Sequence, residues 1–111
     1  MVAVFLAVQP ARAETMSFYV TNPHGFDVAL ELYGERPGRV WPGDGKVYLI
    51  EKGMKKSIPV ECDGGERICW GAWRNGNDAI SYGAGPDKAF ECARCCYICA
   101  TSSTEAIVLG D

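Results

Sequence analysis

The sequence predicts an all-β fold: a small antiparallel β-sandwich of six to eight strands with a short C-terminal helix tied on by disulfides. Three observations predict it. Phe26, Val28, Leu30 and Leu32 alternate with Asp27, Ala29, Glu31 and Tyr33, which is the period-two signature of a half-buried antiparallel strand. Strand-like runs recur with Gly, Pro and Asn-Gly turns between them, at a spacing that suits a sandwich or barrel and not βαβ units. Cys92, Cys95, Cys96 and Cys99 fall at i, i+3, i+4 and i+7, one face of a helix. With 111 residues the chain has room for one core and none for a second.

Residues 1–13, MVAVFLAVQPARA, hold an apolar run from Val2 to Val8 and then Ala11-Arg12-Ala13, the small-x-small pattern a signal peptidase reads. No Lys or Arg precedes the run. Cleavage after Ala13 is the expectation, leaving residues 14–111 as a single disulfide-bonded β domain that is secreted or periplasmic. Ser17–Asn22 reads as the first strand, followed by the turn Pro23-His24-Gly25 and the alternating run to Tyr33. Gly34–Gly38 form a loop, and Val40-Trp41 lead into the turn cluster Pro42-Gly43-Asp44-Gly45. Lys46–Glu51 and Ser57–Glu61 are the next strands, joined through Gly53; Pro59 requires the second to lie at an edge or carry a bulge. Asp63-Gly64-Gly65-Glu66 reads as a hairpin turn into Arg67–Arg74. Asn75-Gly76 then suits a two-residue type I′ turn returning the chain through Ala79–Tyr82. Phe90–Ala100 is the helical exception, and Glu105–Leu109 is a last strand or an ordered tail.

Six cysteines allow fifteen pairings. Bridging Cys95 to Cys96 is excluded because adjacent Cα atoms lie about 3.8 Å apart, below the range disulfides span. A hairpin at Asp63–Glu66 makes Cys62 and Cys69 diagonal neighbours and not a direct pair. Both are therefore expected to reach the C-terminal cluster, whose remaining two cysteines pair with each other. Zinc ribbons separate their C-x-x-C pairs by a long loop, whereas here the two are contiguous, and an iron-sulfur cluster needs thiols kept reduced. A redox C-x-x-C normally opens a helix in a βαβ fold, which is absent. The expectation is three disulfides, no metal and no cofactor.

Lys and Arg number 11 against 14 Asp and Glu, a formal net charge of -3 that argues against a nucleic-acid partner, and none is expected. Beyond the first residues no run approaches the ~20 apolar residues of a spanning helix, so no membrane insertion of the mature chain is expected. A monomer is expected. His24, the single histidine, reads as a solvated turn residue, and the acids as surface groups. Asp44 and Asp63-Gly64-Gly65-Glu66 resemble calcium loops faintly, without EF-hand spacing. Lys52, Lys55 and Lys56 read as a solvated basic patch. Trp70 and Trp73 are three apart on one strand and face opposite sides; Ile68, Trp70 and Ala72 form the core set. That leaves Trp41 and Trp73, beside Gly-rich and Asn-Gly turns, as candidate ligand-binding residues.

Asn22 after a first strand, Leu49-x-x-x-Gly53-x-x-x-Ser57-Ile58 and Arg67-Ile68-Cys69-Trp70 resemble the opening strands of thaumatin-like β-sandwiches over half the chain. Those proteins are about twice as long and richer in cysteine, and no functional residue carries over. Gly65-Glu66-Arg67-Ile68-Cys69-Trp70-Gly71-Ala72-Trp73 with Cys92-x-x-Cys95-Cys96-x-x-Cys99 also resembles small uncharacterised secreted bacterial cysteine-rich proteins. That resemblance implies a secreted disulfide-bonded domain and no activity. The function expected is a non-catalytic binding module for a glycan, peptide or protein. The alternatives are an inhibitor or structural accessory of the cell envelope, and a small hydrolase.

Overall fold

The computed structural model describes residues 13–110. Among them are nine strands: β1 (Ala13–Thr21), β2 (Val28–Tyr33), β3 (Val40–Trp41), β4 (Tyr48–Ile50), β5 (Lys55–Asp63), β6 (Arg67–Arg74), β7 (Asn77–Gly83), β8 (Cys96–Ile98) and β9 (Ile107–Val108). Single 3-10 turns at Pro86–Lys88 and Ala93–Cys95 are the helical segments. The expected signal peptide lies outside the described residues except for Ala13, which opens β1 opposite Asp63.

The strands form two sheets. The smaller has the order β5-β1-β9, with β5 antiparallel and β9 parallel to β1. The larger is antiparallel and built on the central pair β2 and β6: β3 and β4 both pair with β2, and β7 and β8 both pair with β6. Period-two patterning supplies the core. Met16, Phe18 and Val20 of β1, with Ile58, Val60 and Cys62 of β5, join Val28, Leu30 and Leu32 of β2 and Ile68, Trp70 and Ala72 of β6 in one buried cluster. The second face of β2 and β6 is partly covered as well. Gly85 lies against it, accepting a hydrogen bond from Tyr33 Oη at 2.9 Å, and a Cβ on Gly71 would overlap the Gly85 carbonyl. Glycine at 71 is therefore a packing requirement.

Four expectations need correction. Glu66 N–H does close the turn on Asp63 O at 2.9 Å, but β5 pairs with β1 and β6 with β2, so the turn carries the chain from one sheet to the other. Nine register pairs with β1 satisfy β5 laterally, and a crossing turn lets the apolar faces of β5 and β6 meet within one core. Cys62 and Cys69 are then not diagonal neighbours at all. The cysteine segment forms no helix: after the turn at Ala93–Cys95 the chain extends as β8, with Cys96 directly opposite Cys69. The physical reason is that Cys96 bridges to the larger sheet and Cys99 to the smaller, and extended backbone sends residues three apart to opposite sides. The strands exceed the expected six to eight, because two-residue β3 and β9 pair as strands. Finally, among the Asn75-Gly76 pair only Gly76 takes positive φ, 85°, so the turn is not type I′; a bulge at Trp73/Arg74 accompanies it.

Pro59 meets its expectation. Ser17 donates to Ser102 O at 3.0 Å and accepts from Thr104 N at 2.9 Å, so its backbone groups turn away from β5. Its partner Pro59 is thus in a non-hydrogen-bonded pair at the free edge of the smaller sheet, where a missing N–H is harmless.

Candidate functional site

Alternation at that edge decides what faces out. With Pro59 pointing outward, Glu61 and Asp63 do so too, and the structure agrees: Glu61 O accepts from Trp41 Nε1 at 3.0 Å and Asp63 N–H donates to Glu66 Oε1 at 3.1 Å. Trp41 pairs with Leu32, a core-facing residue, so its indole turns to the same side and packs partly buried at the core margin beside Tyr48. The Arg39 guanidinium lies over the ring, 4.8 Å from its centroid. Trp41, Tyr48, Arg39, Pro59, Glu61 and Asp63 line an open cleft of about 480 Å³.

Arg39 and Asp63 of this cleft belong to an ion-pair network. Arg39 forks onto Glu66, Nε to Oε2 at 3.0 Å and Nη2 to Oε1 at 3.1 Å, while Arg36 Nη2 donates to Asp63 Oδ2 at 2.8 Å. The fork from Arg39 holds the Glu66 carboxyl below the usual range and raises the guanidinium in turn, the larger cause in both cases being the hydrogen bond between them. Asp63 and Glu66, whose spacing faintly resembles a calcium loop, are therefore occupied by arginines. No group of three or more potential metal ligands occurs among the described residues.

Trp73 stands elsewhere. It is paired with Ala29 on β2 and Ser81 on β7, opposite in parity to the core-facing Leu30 and Ala72, so it lies on the other face of the larger sheet and is half-buried. The two tryptophans share no surface.

His24 is not a solvated turn residue. Its imidazole is half-buried, stacked 4.9 Å from Phe26 and 4.5 Å from Tyr82, with Nε2 2.7 Å from Leu109 O and in position to donate to it. Arg74 caps the column over Phe26 at 4.9 Å. The i, i+2 spacing of His24 and Phe26 was the available signal; Tyr82 and Leu109 arrive only by tertiary folding. Asn22 is fully buried and donates from Nδ2 to Phe26 O at 2.8 Å and Ile50 O at 3.0 Å, while Oδ1 accepts from His24 N–H at 2.9 Å. Its role is to hold these loops together.

The three bridges are Cys62–Cys99, Cys69–Cys96 and Cys92–Cys95. Both internal cysteines reach the C-terminal cluster, as expected, although the geometry that brings them there differs. A second open cleft, about 350 Å³, lies at this end against Arg67, Lys88, Phe90, Glu91 and Cys92. No protein family, curated protein or solved structure matches the chain.

Proposed function

We propose that the chain is an exported, non-catalytic binding module built as a small β-sandwich, and that the Trp41 cleft receives its glycan, peptide or protein ligand. The observation that carries this reading is the cleft itself: a partly exposed indole with a tyrosine beside it, a guanidinium on its face and two carboxylates at its rim. Flat aromatic surface with polar groups at fixed angles is what sugar rings and peptide planes stack on. The outward Pro59 O and Glu61 N–H add hydrogen-bonding groups held in place by the pairing with β1, Glu61 O being taken by the Trp41 indole. Capture of ligands on the oxidised protein, with Trp41→Ala as the control, tests it. The variant is expected to stay folded by circular dichroism and to lose binding by about 2 kcal/mol or more, as for a hot spot. Equal capture by the variant and the parent protein would remove this cleft from consideration and leave Trp73 to be tested in the same way.

Three disulfides support an oxidising compartment. Export by cleavage after Ala13 extends that reading, and exported material is expected to begin at Glu14 by intact-mass measurement. A retained Met1 on fully reduced protein would refute it. The second reading, an inhibitor or structural accessory of the envelope, is favoured by Phe90 and Ile98, which are 56% and 58% exposed on the disulfide-braced C-terminal segment.

A further inference from the structure

The three disulfides are unequal. Cys62–Cys99 and Cys69–Cys96 close separations of 37 and 27 residues, whereas Cys92–Cys95 closes 3. In the chain-entropy picture a cross-link constrains the unfolded chain more as the loop it closes lengthens, so the short bridge contributes least to the fold. Burial sets the first of them apart from the other two. Cys62 and Cys99 are each 2% exposed, so solvent thiols cannot reach that bridge. Cys92–Cys95 and Cys69–Cys96 each join a buried cysteine, Cys95 or Cys69, to a half-buried one, Cys92 or Cys96, on the wall of the 350 Å³ cleft, so loop length is what sets these two apart.

The charges around that sulfur also matter. Arg67 and Lys88 line the cleft against one carboxylate, Glu91, and the exposed Arg94 sits between the two cysteines. The nucleophile in thiol–disulfide exchange is a thiolate, an anion that such a site attracts. Exposed Phe90 provides an apolar rim.

We propose that Cys92–Cys95 is an exchangeable disulfide whose reaction partners are thiols. A thiolate attacks the sulfur of Cys92, the less buried residue of the pair; a bond forms between the two sulfurs, the Cys92–Cys95 bond breaks, and its electron pair leaves on Cys95 Sγ, which takes a proton from water. A second thiolate then attacks the bound partner's sulfur and releases it as a symmetric disulfide, leaving Cys92 as the thiolate. One protein disulfide is reduced and two thiols are oxidised. The Trp41 cleft shares no lining residue with this one, so the two readings stand or fall separately.

The test exposes the folded, oxidised protein to graded glutathione, quenches by alkylation and maps the labelled peptides. Cys92 and Cys95 are expected to label at a thiol concentration about tenfold or more below that needed for the other four cysteines. Cys95→Ser, which leaves Cys92 without its partner, is expected to form a mixed disulfide at Cys92 when given oxidised glutathione. Lys88→Glu is expected to slow reduction by anionic glutathione about three- to tenfold at low salt and to slow a neutral cysteinyl peptide less. Faster exchange with an apolar cysteinyl peptide than with glutathione assigns the site to peptidyl thiols, and the reverse order assigns it to small ones. Opening of all three bridges together, or of Cys69–Cys96 first, would overturn the proposal, as would a Cys95→Ser protein whose Cys92 forms no adduct.

Discussion

The Glu66 carboxylate accepts two hydrogen bonds from Arg39 and one from the Asp63 N–H, with its side chain only 8% exposed. Charge-assisted bonds of this kind are worth about 1.5 to 3 kcal/mol when shielded, and the 31% exposure of Arg39 moves the expectation to the lower end. Glu66→Gln is therefore expected to lose about 1 to 2 kcal/mol at neutral pH, read from urea midpoints. The folded carboxyl titrates below its ordinary 4.5, so its stabilisation is complete above that value and drains away as pH falls through the lower folded value. The gap between parent and variant should accordingly close below about pH 4.5. A gap that persists undiminished at pH 3 would show that packing, and not the ion pair, is responsible. At this scale the turn Asp63–Glu66 was legible from its glycines. That Arg36 and Arg39, 27 residues earlier, close over it was not, because no local pattern links charges at that separation.

Among the elements, β5 shows how one residue governs a whole strand. Its free edge carries outward backbone groups that invite a second chain, and Pro59 removes a donor from the middle of that row. Pro59→Val restores an N–H at the edge and is expected to raise self-association, seen as a concentration-dependent increase in mass by light scattering. A variant whose mass at high concentration matches that of the parent would assign edge protection to the exposed Lys55 and Lys56 instead. The edge position was readable from proline alone. The cysteine segment was not readable in the same way. Helical spacing at Cys92, Cys95, Cys96 and Cys99 is a genuine pattern, but a disulfide partner on each of two sheets overrides it, and the chain extends to reach both.

Across the whole molecule, two sheets share one core, and the chain changes sheets at the Asp63–Glu66 turn. Cys62–Cys99 ties β5 to the C-terminal segment at that crossing, where Gly65 N–H donates to Cys99 O at 3.0 Å and Cys99 N–H to Glu66 O at 2.7 Å. Replacing both cysteines by alanine is expected to cost about 2 to 5 kcal/mol, the range for a native bridge in a small domain. Denaturant unfolding measures it. A loss under 1 kcal/mol would mean that the backbone bonds at the crossing hold the two sheets together unaided.

Alternation and cysteine count by themselves determined a β-rich fold with three disulfides, with Ile68, Trp70 and Ala72 inside and Pro59 at an edge. Each of those follows from a period or a covalent limit that acts within a few residues. Which strands pair, which way Trp41 turns, and what surrounds His24 were decided only by tertiary structure. The same apolar face can be buried by a neighbour beside it or by a sheet across from it. Only the packing of the whole chain into one core distinguishes the two.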